Sequence, residues 1–417
     1  MNEYDSSALK KEFIDQGWKN APPEIADVLI VNTCAVRHHA EHRAISRLVS
    51  LARARKGKIN MIMGCVAQKN GQKLLDKYPC IDYSVGPGEI DRIFQIVENC
   101  ESKGAFMDLN RFDGCGLRSY IKKDQLKSFV AISRGCENFC SYCIVPYVRG
   151  KLRGRPIYDI LDEIKSAIDK GVKEITLLGQ NVNSYIDPGS EQNFSDLLEK
   201  VNDLSGLARI RYVTNHPKDM DEKLIETIAE LPKVCEAIHL PFQSGSSKIL
   251  KAMNRGYSRE DYIELISKIT DKMPDAALTT DIIVGFPGES LEDFDQTAEL
   301  FDSVGFTGAF AFKYSTRPGT VASKMEDDVP ENEKIRRLEL IIDLIQKNAE
   351  EFSKSMVGKE VEVLIEGVSP KNPGQLFGLT RNGRKVIFDG EKALIGKCVK
   401  VSITKAYKWY LNGELIK

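Results

Sequence analysis

Regularly spaced apolar runs in the centre of this chain restrict it to an α/β fold. Each run has the length and composition of a buried strand, and in most cases a stretch with helical spacing of apolar residues leads to the next run. About six such units predict a partial TIM-like (β/α)6 barrel over residues 122–352, with its chemistry on the loops that follow the strands. The six predicted strands are Ser128–Ser133, Glu174–Leu178, Arg209–Tyr212, Ala237–Leu240, Thr279–Val284 and Gly308–Tyr314.

Residues 1–115 also alternate between strand and helix, which predicts a doubly wound parallel sheet domain. The predicted strands are Ala26–Thr33, Ile59–Gly64 and Asp82–Gly86, and the first two each end at a cysteine, Cys34 and Cys65 respectively. Ligands of open α/β sheets gather at the carboxyl ends of the strands, so these two thiols are predicted to face one metal site. The alternative is two ordinary buried cysteines, because free cysteine is among the most buried residue types.

The pattern changes near Val357 to short alternating strands that are broken by glycines. About five strands in roughly 60 residues predict a small OB-like β-barrel over 356–417. Basic and aromatic side chains favour an RNA surface on this module, and a structural cap on the central barrel is the alternative. These side chains are Arg381, Arg384, Lys385, Lys397, Lys400, Lys405 and Lys408, with Phe377, Tyr407, Trp409 and Tyr410.

Three cysteines, Cys136, Cys140 and Cys143, lie within eight residues directly after the first barrel strand. Soft thiolates select iron–sulfur clusters or zinc, and no fourth ligand stands close by in the sequence. The spacing therefore predicts a [4Fe-4S] cluster with one open iron, the arrangement in which radical S-adenosylmethionine (SAM) enzymes bind and cleave SAM. A zinc loop or three buried free cysteines are the alternatives. Tyr142, just before the last cysteine, is predicted to contact the cofactor.

Polar residues follow several of the predicted barrel strands. Because the loops after the strands carry the chemistry of such barrels, these residues are predicted to bind the methionine and ribose parts of SAM. They are Gln180, Asn181, Gln243, Ser244 and Asp281. A basic segment, Arg149–Arg155, is either a solvated turn or a loop that contacts phosphates.

Composition limits the partners and the compartment. Lys and Arg number 59 and Asp and Glu 60, so no overall field attracts nucleic acid and RNA contacts must come from local patches. No apolar run approaches the ~18 residues that a membrane span needs, and the N-terminus does not match a signal peptide. Ten cysteines, several in metal-ligand spacing, favour a reducing compartment. These features predict a cytoplasmic protein without a membrane partner.

Three segments resemble the methylthiotransferase family of radical SAM enzymes, and the resemblance covers essentially the whole chain. They are Ser133–Gly150, Leu177–Tyr185 and His239–Ser246, and all three are most similar to the MiaB-type branch of that family. The resemblance implies an N-terminal domain that carries an auxiliary cluster, a radical SAM barrel, and a C-terminal TRAM domain that binds RNA.

The implied reaction replaces the C2–H of N6-dimethylallyladenosine at position 37 of tRNA, next to the anticodon, with a methylthio group. The resemblance further implies SAM and two [4Fe-4S] clusters as cofactors, tRNA and a reducing protein as partners, and a monomer. A cofactor must supply the hard step because the C–H bond is unactivated. The alternatives are a sister methylthiotransferase that acts on threonylcarbamoyl-adenosine in tRNA, and a tRNA-binding protein that has lost sulfur insertion.

The chain departs from the family pattern at its start. The family's auxiliary cluster has a further cysteine in a Gly-Cys-Gln-Met-Asn pattern at the end of a first strand, whereas this sequence begins at Met1-Asn2. The expectation is that the first strand and its ligand are missing, so that Cys34 and Cys65 hold only part of that cluster. Cys80 is the nearest substitute ligand in the sequence.

Overall fold

The computed structural model describes residues 1–35, 38–54, 57–99, 102–111 and 116–416. The predicted end of the first domain at residue 115 lies outside these ranges. Within the described part of the chain, none of the helices combines the length and the apolarity that a membrane crossing requires.

The N-terminal part is a four-stranded parallel sheet in which the strand order follows the chain, β1-β2-β3-β4. Its elements are α1 (Asn2–Asp15), β1 (Val28–Thr33), α2 (His38–Arg53), β2 (Ile59–Gly64), α3 (Cys65–Lys77), β3 (Tyr83–Val85), α4 (Ile93–Glu98) and β4 (Gly104–Phe106). Alternate residues of β2 enter different cores: Met61 and Met63 pack with α1 and α4, while Ile62 packs with α2 and α3. Helices therefore cover both faces, as the prediction of a doubly wound domain requires, and β4 is a strand that the sequence analysis did not predict.

The central part contains all six predicted strands. They form two parallel sheets, β5-β8-β9 and β10-β11-β12, which are joined by a bridge between Ile210 and Val234. The strands are β5 (Lys127–Ala131), β6 (Ser133–Arg134), β7 (Arg153–Gly154), β8 (Glu174–Leu178), β9 (Arg209–Tyr212), β10 (Ala237–His239), β11 (Ala277–Val284) and β12 (Gly308–Lys313). The helices are α5 (Val145–Arg149), α6 (Ile157–Asp169), α7 (Phe194–Asn202), α8 (Glu222–Glu230), α9 (Ser247–Ala252), α10 (Arg259–Lys272), α11 (Leu291–Val304) and α12 (Glu331–Ser355).

The C-terminal part is a closed five-stranded barrel in the order β13-β14-β15-β17-β16, as predicted. Its strands are β13 (Glu360–Val368), β14 (Gln375–Thr380), β15 (Lys385–Asp389), β16 (Cys398–Ala406) and β17 (Tyr410–Leu415). Arginines fasten this barrel to the central one. Arg209, fully buried on β9, donates to the Glu362 carboxylate at 2.8 Å, and Arg381 donates to the Glu236 carboxylate at 2.6 Å. Arg381, which the sequence analysis assigned to a possible RNA surface, therefore forms an ion pair at the interface between the two barrels.

Candidate radical SAM site

The three-cysteine loop leaves the barrel at the carboxyl end of β5, where the short strands β6 and β7 pair. Gly135, just before the first cysteine, has a φ of +79°, and a Cβ there would stand 1.9 Å from the Lys151 carbonyl oxygen. This conformation and this close approach are open to glycine alone among the common residues. The Cys136 amide then donates to the Gly150 carbonyl at 3.2 Å, which fixes the start of the loop against the segment after α5.

Contacts with distant parts of the barrel hold the rest of the loop. The Ser141 amide donates to the Met253 carbonyl at 2.9 Å, and its hydroxyl donates to the Ala252 carbonyl at 2.8 Å. The Asn254 side chain donates to the Phe139 carbonyl at 3.0 Å. Main-chain groups of the loop are thereby paired, as buried polar groups must be, and the three thiols are presented from a fixed backbone.

A buried guanidinium lies beside the thiols. Arg255 donates to the Cys140 sulfur and to the Tyr142 hydroxyl, each at 3.3 Å. A second nitrogen of Arg255 donates to the Pro241 carbonyl at 2.7 Å, so its fork is fixed in place. A positive donor at this point stabilises a thiolate on Cys140 by a charge-assisted hydrogen bond.

Burial affects the protonation of the other two thiols. It raises the pKa of Cys136 and raises that of Cys143 to about 12. As free thiols these two hold their protons at neutral pH, and binding a metal must displace them. Among the described residues, no three His, Cys, Asp or Glu side chains converge tightly enough to hold a single metal ion.

Unsatisfied polar atoms collect at the same end of the barrel. Of the buried side-chain atoms that lack a hydrogen-bond partner within the described structure, four lie at this end, and such atoms are unusual among buried polar groups. They follow three neighbouring strands, β5, β8 and β9, and are Ser133 Oγ, Asn181 Oδ1, Asn215 Oδ1 and His216 Nε2. A polar cofactor bound at this end would satisfy them.

His216 is a neutral donor in this group. Burial first, and then the positive charges of Arg255 and Lys218, lower its pKa to about 2. Its Nδ1 accepts a hydrogen bond from the Lys218 amide at 3.3 Å, so the proton of the neutral ring is on Nε2. That N–H is available to an acceptor on a ligand.

The structure places the predicted SAM-contacting residues in different settings. Tyr142 packs against a small apolar cluster beneath the loop, and Gln180 accepts from the Gly135 amide at 2.5 Å. Asn181 donates to Asp219 at 2.5 Å and keeps its oxygen unpaired. Asp281 lies on β11, with its carboxylate 3.5 Å from His239 Nε2.

Two further predicted residues follow β10. The Gln243 backbone has a φ of +70°. Its amide donates to the Asp281 carbonyl and its carbonyl accepts from the Ile283 amide, each at 2.9 Å, so Gln243 is hydrogen-bonded to β11 as part of the sheet. The Ser244 hydroxyl is fully buried and lies 3.3 Å from the Thr297 hydroxyl on α11. The Ser244 hydroxyl therefore contacts helix α11, on the side of the strand against which the helices pack.

Cys34 and Cys65 lie together at the carboxyl edge of the N-terminal sheet. In the pairing of β1 with β2, Thr33 stands opposite Gly64. Cys34 and Cys65 directly follow these two residues, so they are adjacent at the ends of neighbouring strands. The Cys65 thiol is buried and accepts a hydrogen bond from Arg149 Nε at 3.2 Å. Asn2 at the start of α1 donates to the Thr33 carbonyl at 2.9 Å, so the first residues of this chain also lie at this edge.

Cys80 is at the opposite edge of that sheet. It lines a surface pocket with Ile59 and Asn60, the first residues of β2, whereas Cys65 follows the last. Six strand residues at a rise of about 3.3 Å each place the two ends of β2 roughly 16 Å or more apart. Cys80 therefore does not serve as a ligand beside Cys34 and Cys65.

One ion-pair network connects the two cysteine sites. Asp5 on α1 accepts from Arg134 at 2.7 Å and from Arg149 at 3.0 Å, and all three side chains are at most 8% exposed. Arg149 also donates a hydrogen bond to the Cys65 thiol, and the carbonyl of the neighbouring Gly150 accepts one from the Cys136 amide. Arg155 is also buried, and it pairs with Asp159 and Glu163. At Arg149 and Arg155, therefore, the basic segment is neither a solvated turn nor a loop that contacts phosphates.

Sequence reasoning missed Asp5 and Arg255 as parts of the site. Arg255 meets Cys140 across 115 positions of the chain, and Asp5 meets Arg149 across 144. No local pattern marks either residue.

Comparison with protein families defines the class. Residues 130–301 match the radical SAM superfamily, residues 354–416 match the TRAM domain, and residues 1–86 match an uncharacterised family designated UPF0004. The fold is similar to that of the radical SAM methyltransferase TsrM from Kitasatospora setae, with a TM-score of 0.59 at 15% identity over 78% of this chain and 72% of that one. The protein is a radical SAM enzyme, a class that uses SAM and a [4Fe-4S] cluster.

Full-length relatives narrow the class to a family. The chain is 44% identical to the tRNA-2-methylthio-N(6)-dimethylallyladenosine synthase of Thermoanaerobacter pseudethanolicus, over all of this chain and 91% of that protein. It is 43% identical to the enzyme of the same name from Clostridium botulinum, over 95% of that protein. The chain belongs to this family of synthases, which confirms the resemblance inferred from its motifs.

Proposed function

We propose that the protein methylthiolates C2 of N6-dimethylallyladenosine at position 37 of tRNA, giving 2-methylthio-N6-dimethylallyladenosine. The observation that carries this proposal is the pairing of two cysteine sites through Asp5, Arg134 and Arg149. One site has the thiols of a SAM-cleaving cluster, and the other stands across a shared ion-pair network. A reaction that both activates a C–H bond and inserts sulfur needs two such sites in fixed relation.

The residues at the barrel end fit SAM and one cluster. A loop that supplies three thiols leaves one iron of a [4Fe-4S] cluster open, and the four unsatisfied polar atoms offer partners for a polar cofactor. When bound, this cluster with SAM supplies the 5′-deoxyadenosyl radical that abstracts a hydrogen atom. The protein's own part is to hold the thiolates and to orient the cofactor.

Arg255 and His216 have distinct parts in that task. Arg255 stabilises the Cys140 thiolate and holds the Tyr142 hydroxyl beside it. His216 stays uncharged at neutral pH, so it offers a hydrogen bond to an acceptor on SAM without adding positive charge next to the sulfonium. The proposal also assigns Gln180, Asn181, Gln243 and Asp281 to the walls of this cofactor site.

We further propose that Cys34 and Cys65 ligate an auxiliary [4Fe-4S] cluster. Arg149 supports this assignment because a buried guanidinium beside Cys65 favours the thiolate that a metal needs. The first residues of this chain lie at the same sheet edge, since Asn2 contacts Thr33 there. The proposal includes tRNA as substrate, a reducing protein as electron donor, a cytoplasmic location and a monomer.

The experiment compares this 417-residue chain with a form that carries a Gly-Cys-Gln segment ahead of Met1. Both are reconstituted with iron and sulfide and given SAM, dithionite and tRNA bearing N6-dimethylallyladenosine. We expect 5′-deoxyadenosine from both forms, and a larger yield of methylthiolated nucleoside, with about two clusters instead of one, from the extended form. Nucleoside mass spectrometry and iron analysis provide the readouts.

Matched substrates separate the proposal from its alternatives. Transfer RNA bearing threonylcarbamoyl-adenosine should stay unmodified, and modification of that RNA instead would assign the sister activity. If the extended form cleaves SAM, binds tRNA and never methylthiolates it, the protein is a tRNA-binding member of the family and the proposal fails.

A further inference from the structure

An exposed apolar groove lies where the free edge of the central barrel meets the C-terminal barrel. This groove, here called the aromatic groove, has a volume of about 460 Å³ and is lined by Ala309–Phe312 of β12, Ile342, Ile345 and Gln346 of α12, and Trp409. Phe310 is 61% exposed, Trp409 is 53% exposed and Ile342 is 39% exposed. Large apolar side chains that are exposed together usually mark a surface that binds a partner.

The composition around Trp409 indicates what kind of partner this is. The segment Lys405–Tyr410, which includes the turn between β16 and β17, combines two lysines with three aromatic rings. The Lys405 ammonium lies 5.1 Å from the Tyr407 ring centre, and the Lys408 ammonium donates to Gln346 in the groove wall at 2.8 Å. Stacking rings beside positive charges are how proteins bind single-stranded nucleic acid, since every base has a π-face and every linkage a phosphate.

Phe310 connects the groove with the barrel interior. Phe310 stands opposite Asp281 in the pairing of β11 with β12, and its ring meets the His239 ring edge-on at 6.5 Å. The ring thus points to the barrel interior, while its neighbours Ala309 and Ala311 pack on the hydrophobic core. Phe310 therefore lines the aromatic groove together with Trp409 and also contacts a residue of the barrel interior.

We infer that the aromatic groove holds unpaired nucleotides of the tRNA anticodon loop that flank the target base, with bases stacked on Trp409 and Phe310. The inference rests on the proposed function for the identity of the RNA. The target base must leave its stack to reach a buried reaction centre. Stacking of the neighbouring bases in the groove, beside the barrel, compensates for the stacking energy that the target base loses.

The chain offers its own reporter for a test. It contains two tryptophans, Trp18 and Trp409, so Trp18→Phe leaves Trp409 as the single fluorophore. Trp18 lies on the N-terminal domain, where it packs edge-on against Phe13, so phenylalanine preserves most of that contact. The full-length W18F protein is titrated with a synthetic anticodon stem-loop, and with the same hairpin carrying abasic sites in its loop.

Stacking predicts that the normal hairpin quenches Trp409 fluorescence to saturation, whereas the abasic hairpin does not. Phe310→Ala should weaken binding of the normal hairpin about tenfold, as loss of one stacked base does. Its control is Tyr158→Ala, which removes an aromatic ring that is 75% exposed on α6, away from the groove, and should leave binding unchanged.

Anisotropy of a labelled hairpin measures binding independently of the quenching. Binding without quenching, and with no effect of Phe310→Ala, overturns the aromatic groove while leaving the tRNA function standing. Equal quenching by the abasic hairpin overturns base stacking. A hairpin and a full tRNA that both fail to bind overturn the groove and the proposed function together.

Discussion

The two cysteine sites of this protein are brought together by different means. The barrel site takes all three thiols from one loop of eight residues, and distant residues such as Met253 and Arg255 only fix that loop. The N-terminal site takes Cys34 and Cys65 from separate strands, and the register of a parallel sheet makes them neighbours. A site built on one loop depends on that loop's contacts, whereas a site built on a sheet edge depends on the packing of a whole domain.

The largest effect should come from removing either set of thiols. Replacing Cys136, Cys140 and Cys143 with alanine should abolish SAM cleavage under dithionite, because these three thiols are the proposed ligands of the cluster that binds SAM. Replacing Cys34 and Cys65 with alanine should leave 5′-deoxyadenosine formation intact and abolish methylthiolation. Product analysis by mass spectrometry, with iron content, distinguishes the two outcomes.

Cys80→Ser is the matched control for both variants. Because Cys80 lies at the opposite edge of the sheet, its loss should change neither iron content nor product. Persistent SAM cleavage in the triple alanine variant would refute the assignment of the barrel site. A drop in iron on loss of Cys80 would refute the assignment of the sheet edge.

A smaller but global effect should follow from breaking the network that connects the sites. Asp5→Ala leaves Arg134 and Arg149 buried without their shared carboxylate, which should lower the free energy of unfolding by roughly 3–5 kcal/mol. Urea denaturation measures the change. Asp15→Ala, on the exposed end of the same helix, removes an ion pair with Lys11 and should cost less than about 1 kcal/mol. Equal losses in both variants would mean that the network adds nothing beyond a surface pair.

The pH dependence of Asp5→Asn provides a second reading of the same network. Burial raises the pKa of Asp5, but the charges of Arg134 and Arg149 outweigh it and lower that pKa below its ordinary value of 3.8. Because the pKa of Asp5 is lower in the folded protein than in the unfolded chain, its charge stabilises the fold at pH values above the unfolded pKa. This stabilisation is lost as the pH falls through the folded pKa. The wild-type protein should therefore lose its advantage over Asp5→Asn at pH values below about 4.

The smallest predicted effect concerns the support of a single thiolate. Arg255→Lys keeps a positive charge but loses the fork that joins Cys140, Tyr142 and Pro241, so SAM cleavage should slow by about 10- to 100-fold. Iron content should stay unchanged, which separates a positioning role from loss of the cluster. Arg259→Lys on the outer helix α10 is the control, and an equal loss there would show that the effect is not specific to the thiolate.

Much of the architecture was predictable because it follows from local periodicity. The six barrel strands, the closed C-terminal barrel and the loop of three cysteines each have a pattern within a few residues, set by burial on alternate positions or by ligand spacing. The strand-end positions of Cys34 and Cys65 were predictable for the same reason. The short strand β4 was missed because three half-buried residues, Gly104–Phe106, have no period to detect.

The sequence by itself determined which elements form and which thiols stand at the spacing of metal ligands, since hydrophobic alternation and ligand spacing are properties of short segments. Tertiary structure decided what the charges do. Arg149 and Arg155 look like a basic loop in the sequence and are buried ion-pair partners in the fold, while Cys80 looks close to Cys65 and lies across the sheet. The reason is that the partner of a charge, or of a ligand, is fixed by which elements pack together, and packing joins residues that no local pattern relates.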